Sequence, residues 1–93
     1  MSEIKYSFEL RRVSNSTLED RFTGTFHDAR LRGDRLATRL GNVSLYAYNL
    51  PLHKWDALGT FLGHMRFADA FGNNYIIKND FSGLVKAKKE DKQ

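Results

Sequence analysis

At 93 residues and 10.7 kDa the chain has the size of one small domain, long enough to close a single core without disulfides or metals. With 41% hydrophobic, 28% charged and 13% aromatic residues it falls outside the disordered, fibrous and membrane-spanning classes, and no apolar run reaches the roughly 20 residues of a transmembrane helix. The lack of Cys removes disulfides, thiolate metal sites and a Cys nucleophile, and with no apolar leader in the opening residues the expectation is a cytoplasmic protein.

The first predicted element is a half-buried strand from Ile4 to Arg11, where Ile4, Tyr6, Phe8 and Leu10 alternate with Lys5, Ser7, Glu9 and Arg11. Ser14-Asn15-Ser16-Thr17 supplies turn chemistry, and a second extended segment from about Asp20 to Arg32 completes a hairpin. That segment changes parity, which predicts a bulge near His27 and Asp28. Gly33-Asp34 matches a two-residue type II′ loop, and counting outward from it places Arg30, Arg32, Arg35 and Arg39 on one face of a second hairpin, with Leu31, Leu36 and Leu40 on the other. Gly41-Asn42 is a further turn signal before Val43 to Tyr48, a strand apolar on both parities.

Pro51 is suited to a helix start, and Leu52, Trp55, Leu58 and Leu62 recur at helical spacing, so a short helix over about 52–62, anchored by Trp55, is expected. A hairpin follows: Met65 to Phe71, a turn at Gly72-Asn73-Asn74, then Tyr75 to Lys78, with Phe71 facing either Tyr75 or Ile76. Leu84-Val85 adds a last edge strand. These elements define one domain over 1–85 of the α+β, mainly β class: an antiparallel meander of about five or six strands with one short helix, a small open β-barrel being the second choice. Residues 86–93 read as a flexible, Lys-rich tail.

The motifs of catalysis are missing. His27, His53 and His64 lack metal-ligand spacing, and no nucleophile elbow, dinucleotide fingerprint or phosphate loop occurs, so no enzyme activity, cofactor or metal is expected. The chain carries 15 Lys and Arg against 11 Asp and Glu, a net charge of +4. Seven of the eight Arg lie at or before Arg39, whereas six of the seven Lys lie at or after Lys54. Arg is the better residue for forked contacts with carboxylate or phosphate, so ionic recognition belongs to the first half.

Four Arg within ten residues, together with Tyr46 and Tyr48, are the candidate binding residues. The expected function is that of a small binding module, of the accessory or inhibitor kind that bacterial viruses also carry, whose Arg face meets an acidic protein surface. The second reading is an RNA- or DNA-binding domain that uses the same Arg face and the strand aromatics. No membrane partner is expected, and the doubly apolar Val43 to Tyr48 strand is a candidate homodimer contact.

Overall fold

A computed structural model describes residues 4–87. The elements run β1 (Tyr6–Arg12), β2 (Leu18–Gly24), α1 (Phe26–Leu40), β3 (Val43–Asn49), β4 (Lys54–Gly63), β5 (Arg66–Asp69), β6 (Asn74–Ile77) and β7 (Leu84–Lys86). All seven strands join one open antiparallel sheet in the order β2-β1-β3-β4-β5-β6-β7. It is a sheet with two free edges, β2 and β7, rather than a barrel. The chain leaves the edge strand β2, crosses one face of the sheet as α1, and returns as β3 on the far side of β1. From β3 onward it is a simple meander.

The one helix among the described residues lies where the sequence pattern predicts the Arg hairpin. Its start is set by a capping box: the Asp28 N–H donates to Thr25 Oγ1 at 3.2 Å, and the Thr25 N–H donates to Asp28 Oδ2 at 3.0 Å. Phe26, Ala29, Gly33, Leu36 and Ala37 then recur at helical spacing and turn toward the sheet. Gly33-Asp34 is therefore a helix interior and not a turn. Gly33 is buried because α1 approaches β4 too closely for a side chain: an added Cβ would stand 2.3 Å from the Phe61 ring. Asp34, also buried, accepts a 2.8 Å hydrogen bond from the Met65 N–H, and Thr38 Oγ1 accepts from the His64 N–H at 2.9 Å. Those two N–H groups belong to the two-residue β4–β5 loop, so polar helix residues fasten it. Gly41, with φ at 95°, ends the helix instead of opening a hairpin.

The segment expected to be helical, 52–62, is mostly strand β4. Leu50 to His53 form the turn before it, and β4 is hydrogen-bonded along both edges, to β3 and to β5. Gly63 adopts φ 89° where the strand ends, a conformation open to Gly and unsuited to a helix interior. Two pairing irregularities, after Leu45 and after Phe61, shift the parity of the apolar residues along β4, and this gave them their apparent helical spacing.

The core is the layer between α1 and the sheet: Phe8 and Leu10 from β1, Val43 and Leu45 from β3, Phe61 from β4, Phe67 from β5 and Ile77 from β6, with Ala29 and Ala37 of the helix. In the following hairpin Phe67, not Phe71, faces Tyr75, and Phe71 stands at the turn, 90% exposed. Of the tail assigned to 86–93, Lys86 lies in β7 and Ala87 donates its N–H to Asn74 O, while 88–93 lie outside the described residues. No helix among the described residues is long and apolar enough to cross a membrane.

Candidate binding surfaces

The helical geometry divides the four expected Arg. Arg32, Arg35 and Arg39 stand at i, i+3 and i+7, are all exposed, and form one outward stripe of about 10 Å at 1.5 Å rise per residue. Arg30 turns the other way and donates from Nε to the Phe81 carbonyl at 2.7 Å, tying the helix to the loop before β7. Arg32 pairs with Asp20 at 3.1 Å and lies 4.3 Å over the Phe22 ring, so it also closes the gap between α1 and β2. Arg35 and Arg39 have no carboxylate partner among the described residues. Arg39 sits in the last turn, where the helix dipole favours a cation; Arg35 has no such local explanation.

The second surface is the sheet face that α1 leaves uncovered. Tyr46 and Tyr48 point there, since Val43 and Leu45 on the opposite parity are core residues. The register sets two rows across the strands. One is Thr23, Ser7, Tyr48 and Trp55: Ser7 pairs with Thr23, Tyr48 pairs with Trp55, and Ser7 precedes the Phe8–Ala47 pair. The other is Arg21, Glu9, Tyr46 and Ala57. Tyr6 and Phe8, the aromatics of β1, lie on the covered side, where their rings are 5.9 Å apart.

Glu9 is 3% exposed even though it belongs to the uncovered face. Arg21 donates to it from Nε at 2.9 Å and also from Nη2, and Arg11 donates from Nε at 3.0 Å. Burial pushes the carboxyl up, but the hydrogen bonds and charges of Arg21 and Arg11 outweigh it and hold the group below the ordinary carboxylate range. Trp55 and Tyr48 meet edge to face with ring centres 5.2 Å apart, and the Arg21 guanidinium carbon lies 5.7 Å from the Trp55 ring centre. Together with Ser7, Thr23 and Phe22 these residues line a shallow cavity of about 380 Å³.

Trp55, Arg21, Arg11, Ser7 and Thr23 were not among the expected site residues. Period-two alternation over Glu19 to Thr23 and over Lys54 to Ala57 would have placed Arg21, Thr23, Trp55 and Ala57 on common strand faces. What no alternation reveals is that strands β1 and β3 bring Arg21 and Trp55 together.

The polar cluster around Asp69 serves the backbone. Asp69 accepts from the N–H of Asn73 and of Phe71, each at 2.9 Å, and from the Tyr75 hydroxyl at 3.0 Å, closing the β5–β6 turn. The Asn73 backbone bond above all lowers the Asp69 carboxyl, and Asp69 in turn raises the Tyr75 phenol. His27 contacts the Asp80 carbonyl at 3.0 Å, whereas His53 and His64 occupy separate turns with positive φ. Among the described residues no group of three or more potential ligands could hold a metal ion. Beside the start of α1 a mostly apolar cavity of about 620 Å³ opens between Tyr6, Phe26, Ala47, Leu50 and Leu58. No protein-family model, curated protein or solved structure matches the chain.

Proposed function

We propose that the protein is a non-enzymatic binding module of the accessory or inhibitor kind, which meets an acidic protein surface through Arg32, Arg35 and Arg39 on the outer side of α1. The observation that supports this reading is the stripe itself: three exposed guanidinium groups within two helical turns, two of them without a carboxylate partner among the described residues. Like charges at this spacing repel, so the fold does not gain from the arrangement. Asp20 and Asp28 border the stripe at its N-terminal end, and a patch about 10 Å long bounded by carboxylates suits a local acidic cluster better than a continuous phosphate backbone. Arg30, committed to Phe81, falls outside the surface.

The test compares capture from nuclease-treated native extract by the wild type and by the triple variant Arg32→Ala, Arg35→Ala, Arg39→Ala. A partner retained after nuclease treatment, lost with the triple variant and weakened unequally by the single substitutions is the expected result. A retained complex that is indifferent to the triple substitution, or one that nuclease abolishes, overturns the reading.

A further inference from the structure

We propose that the uncovered sheet face is a separate site for single-stranded nucleic acid, in which Trp55 stacks an unpaired base, Tyr48 braces the indole edge to face, and Arg21 and Arg11 take its phosphates. This goes beyond the reading of the helix stripe and does not depend on it.

The charge that this face offers differs from its formal composition. Glu9 lies beneath the two Arg with its side chain 4% exposed, whereas those of Arg11 and Arg21 are 37% and 59% exposed. A ligand therefore meets guanidinium and not carboxylate. Arg21 uses Nε and Nη2 on Glu9, which leaves Nη1 without a partner among the described residues; its orientation is already set by the buried carboxylate.

The aromatic half of the site comes from the register. Arg21 on β2 and Trp55 on β4 are three strand spacings apart, about 14 Å at 4.8 Å each. Their side chains nevertheless approach to 5.7 Å, because Ser7 is small and lets both lean over β1 and β3. The result is a slot with an indole on one side, a guanidinium on the other and two hydroxyls at its floor, Ser7 Oγ and Thr23 Oγ1, 3.4 Å apart. A planar ring held between two such groups needs about 7 Å, twice a van der Waals separation of about 3.5 Å, against the 5.7 Å present, so Arg21 gives up part of its hold on Glu9 when a base enters. An aromatic ring with an anionic group attached is the chemistry that fills this slot, and an unpaired nucleotide supplies both. A duplex hides its base faces, and among the described residues this flat face has no element that enters a groove.

Trp55 is the chain's single Trp, so its emission reports directly on the slot. We expect a short single-stranded oligothymidylate to quench it, with an affinity that falls as salt rises by about 0.7 in log–log slope per phosphate held. By anisotropy of a labelled oligonucleotide, Trp55→Ala and Tyr48→Ala each weaken binding roughly tenfold or more, Trp55→Phe restores most of it, and Arg21→Ala flattens the salt slope. The Arg32, Arg35, Arg39 triple variant keeps this binding, which separates the site from the helix stripe. An oligonucleotide that neither quenches Trp55 nor binds overturns the proposal, as does equal binding of a duplex. It also fails if sedimentation shows a dimer that Tyr48→Ala dissolves, or if Trp55 responds only to a protein partner.

Discussion

The two faces of the sheet keep water out by different means. On the covered face, Phe8, Leu10, Val43, Leu45 and Phe61 are at most 3% exposed because α1 lies on them. On the open face no element among the described residues does this, yet Glu9 is as buried as they are. Phe8, Glu9 and Leu10 form an unbroken buried run in β1, two of them shielded by a helix and one by the arms of Arg11 and Arg21. Burial on the first face excludes water from hydrocarbon and is the source of stability. Burial on the second hides one charge so that two opposite charges stand in fixed positions above it. Six substitutions, three on the two sheet faces and their core and three on the helix stripe beside them, put this contrast to the test.

The largest effect belongs to the covered face. Phe61 is 1% exposed, packs at a tilt against Phe67 with ring centres 4.8 Å apart and fills the space under Gly33, so Phe61→Ala removes contacts to two strands and the helix together. The expected cost is about 3–5 kcal/mol, a large share of the stability of a domain this size. Chemical denaturation measures it, and a loss under about 1 kcal/mol would mean that α1 is not the principal cover.

Glu9→Gln comes next and separates charge from shape. The amide fits the same space but cannot satisfy two guanidinium donors as an anion does, and the expected cost is about 1–2 kcal/mol, moderated by the water that reaches both Arg. The direction with pH follows from the lowered carboxyl. Because the group binds its proton less readily when folded than when unfolded, its contribution is complete above the ordinary Glu value of about 4.3 and is lost as pH falls through the lower folded value. The wild type should therefore exceed the variant by a constant margin near neutrality, and the margin should close in acid. Urea midpoints that run parallel down to acid pH would show that Glu9 is held by packing and not by charge.

Trp55 is where sequence and structure part most clearly. Read as the anchor of a helix it would be a core residue, whereas on the open face it is half-buried, with Tyr48 and Arg21 as its neighbours. Trp55→Ala should then cost about 1 kcal/mol, the scale of a cross-strand aromatic pair, and not the core value. A melting temperature that collapses would return Trp55 to the core.

The class of fold was legible because β1 alternates without error and because Val43 to Tyr48 and Tyr75 to Ile77 are dense in β-branched and aromatic residues. The helix was not, and the reason is specific. Gly33-Asp34 has the chemistry of a turn when taken alone, and only the Phe61 ring, which is 28 residues away in sequence, explains a glycine in mid-helix. The competing local signal was Thr25-x-x-Asp28, a capping box obscured by the extended pattern before it. In β4 the error ran the other way, since bulges moved apolar residues off a two-residue period and imitated a helix. The candidate binding residues inherited both errors. The four Arg are divided by helical geometry, and Tyr46 and Tyr48 lie on the face opposite Val43 and Leu45, as the strand parity indicates, beside the Trp55 and Arg21 that complete their surroundings.

The smallest effect on stability is expected for Arg35→Ala and Arg39→Ala. Neither side chain touches a carboxylate among the described residues, so neither removal leaves a buried charge unpaired. Ala raises helix propensity slightly and relieves repulsion along the stripe, whereas loss of Arg39 forfeits a cation near the C-terminal end of the dipole. These terms oppose one another, and each single change should fall within about half a kcal/mol, with Arg35→Ala on the stabilising side and Arg39→Ala on the other. Arg32→Ala is the internal control, since it gives up both Asp20 and the Phe22 ring and should cost more than either. If Arg35→Ala instead destabilises as much as Arg32→Ala, Arg35 is part of the structure, and the case for a stripe reserved for a partner is lost.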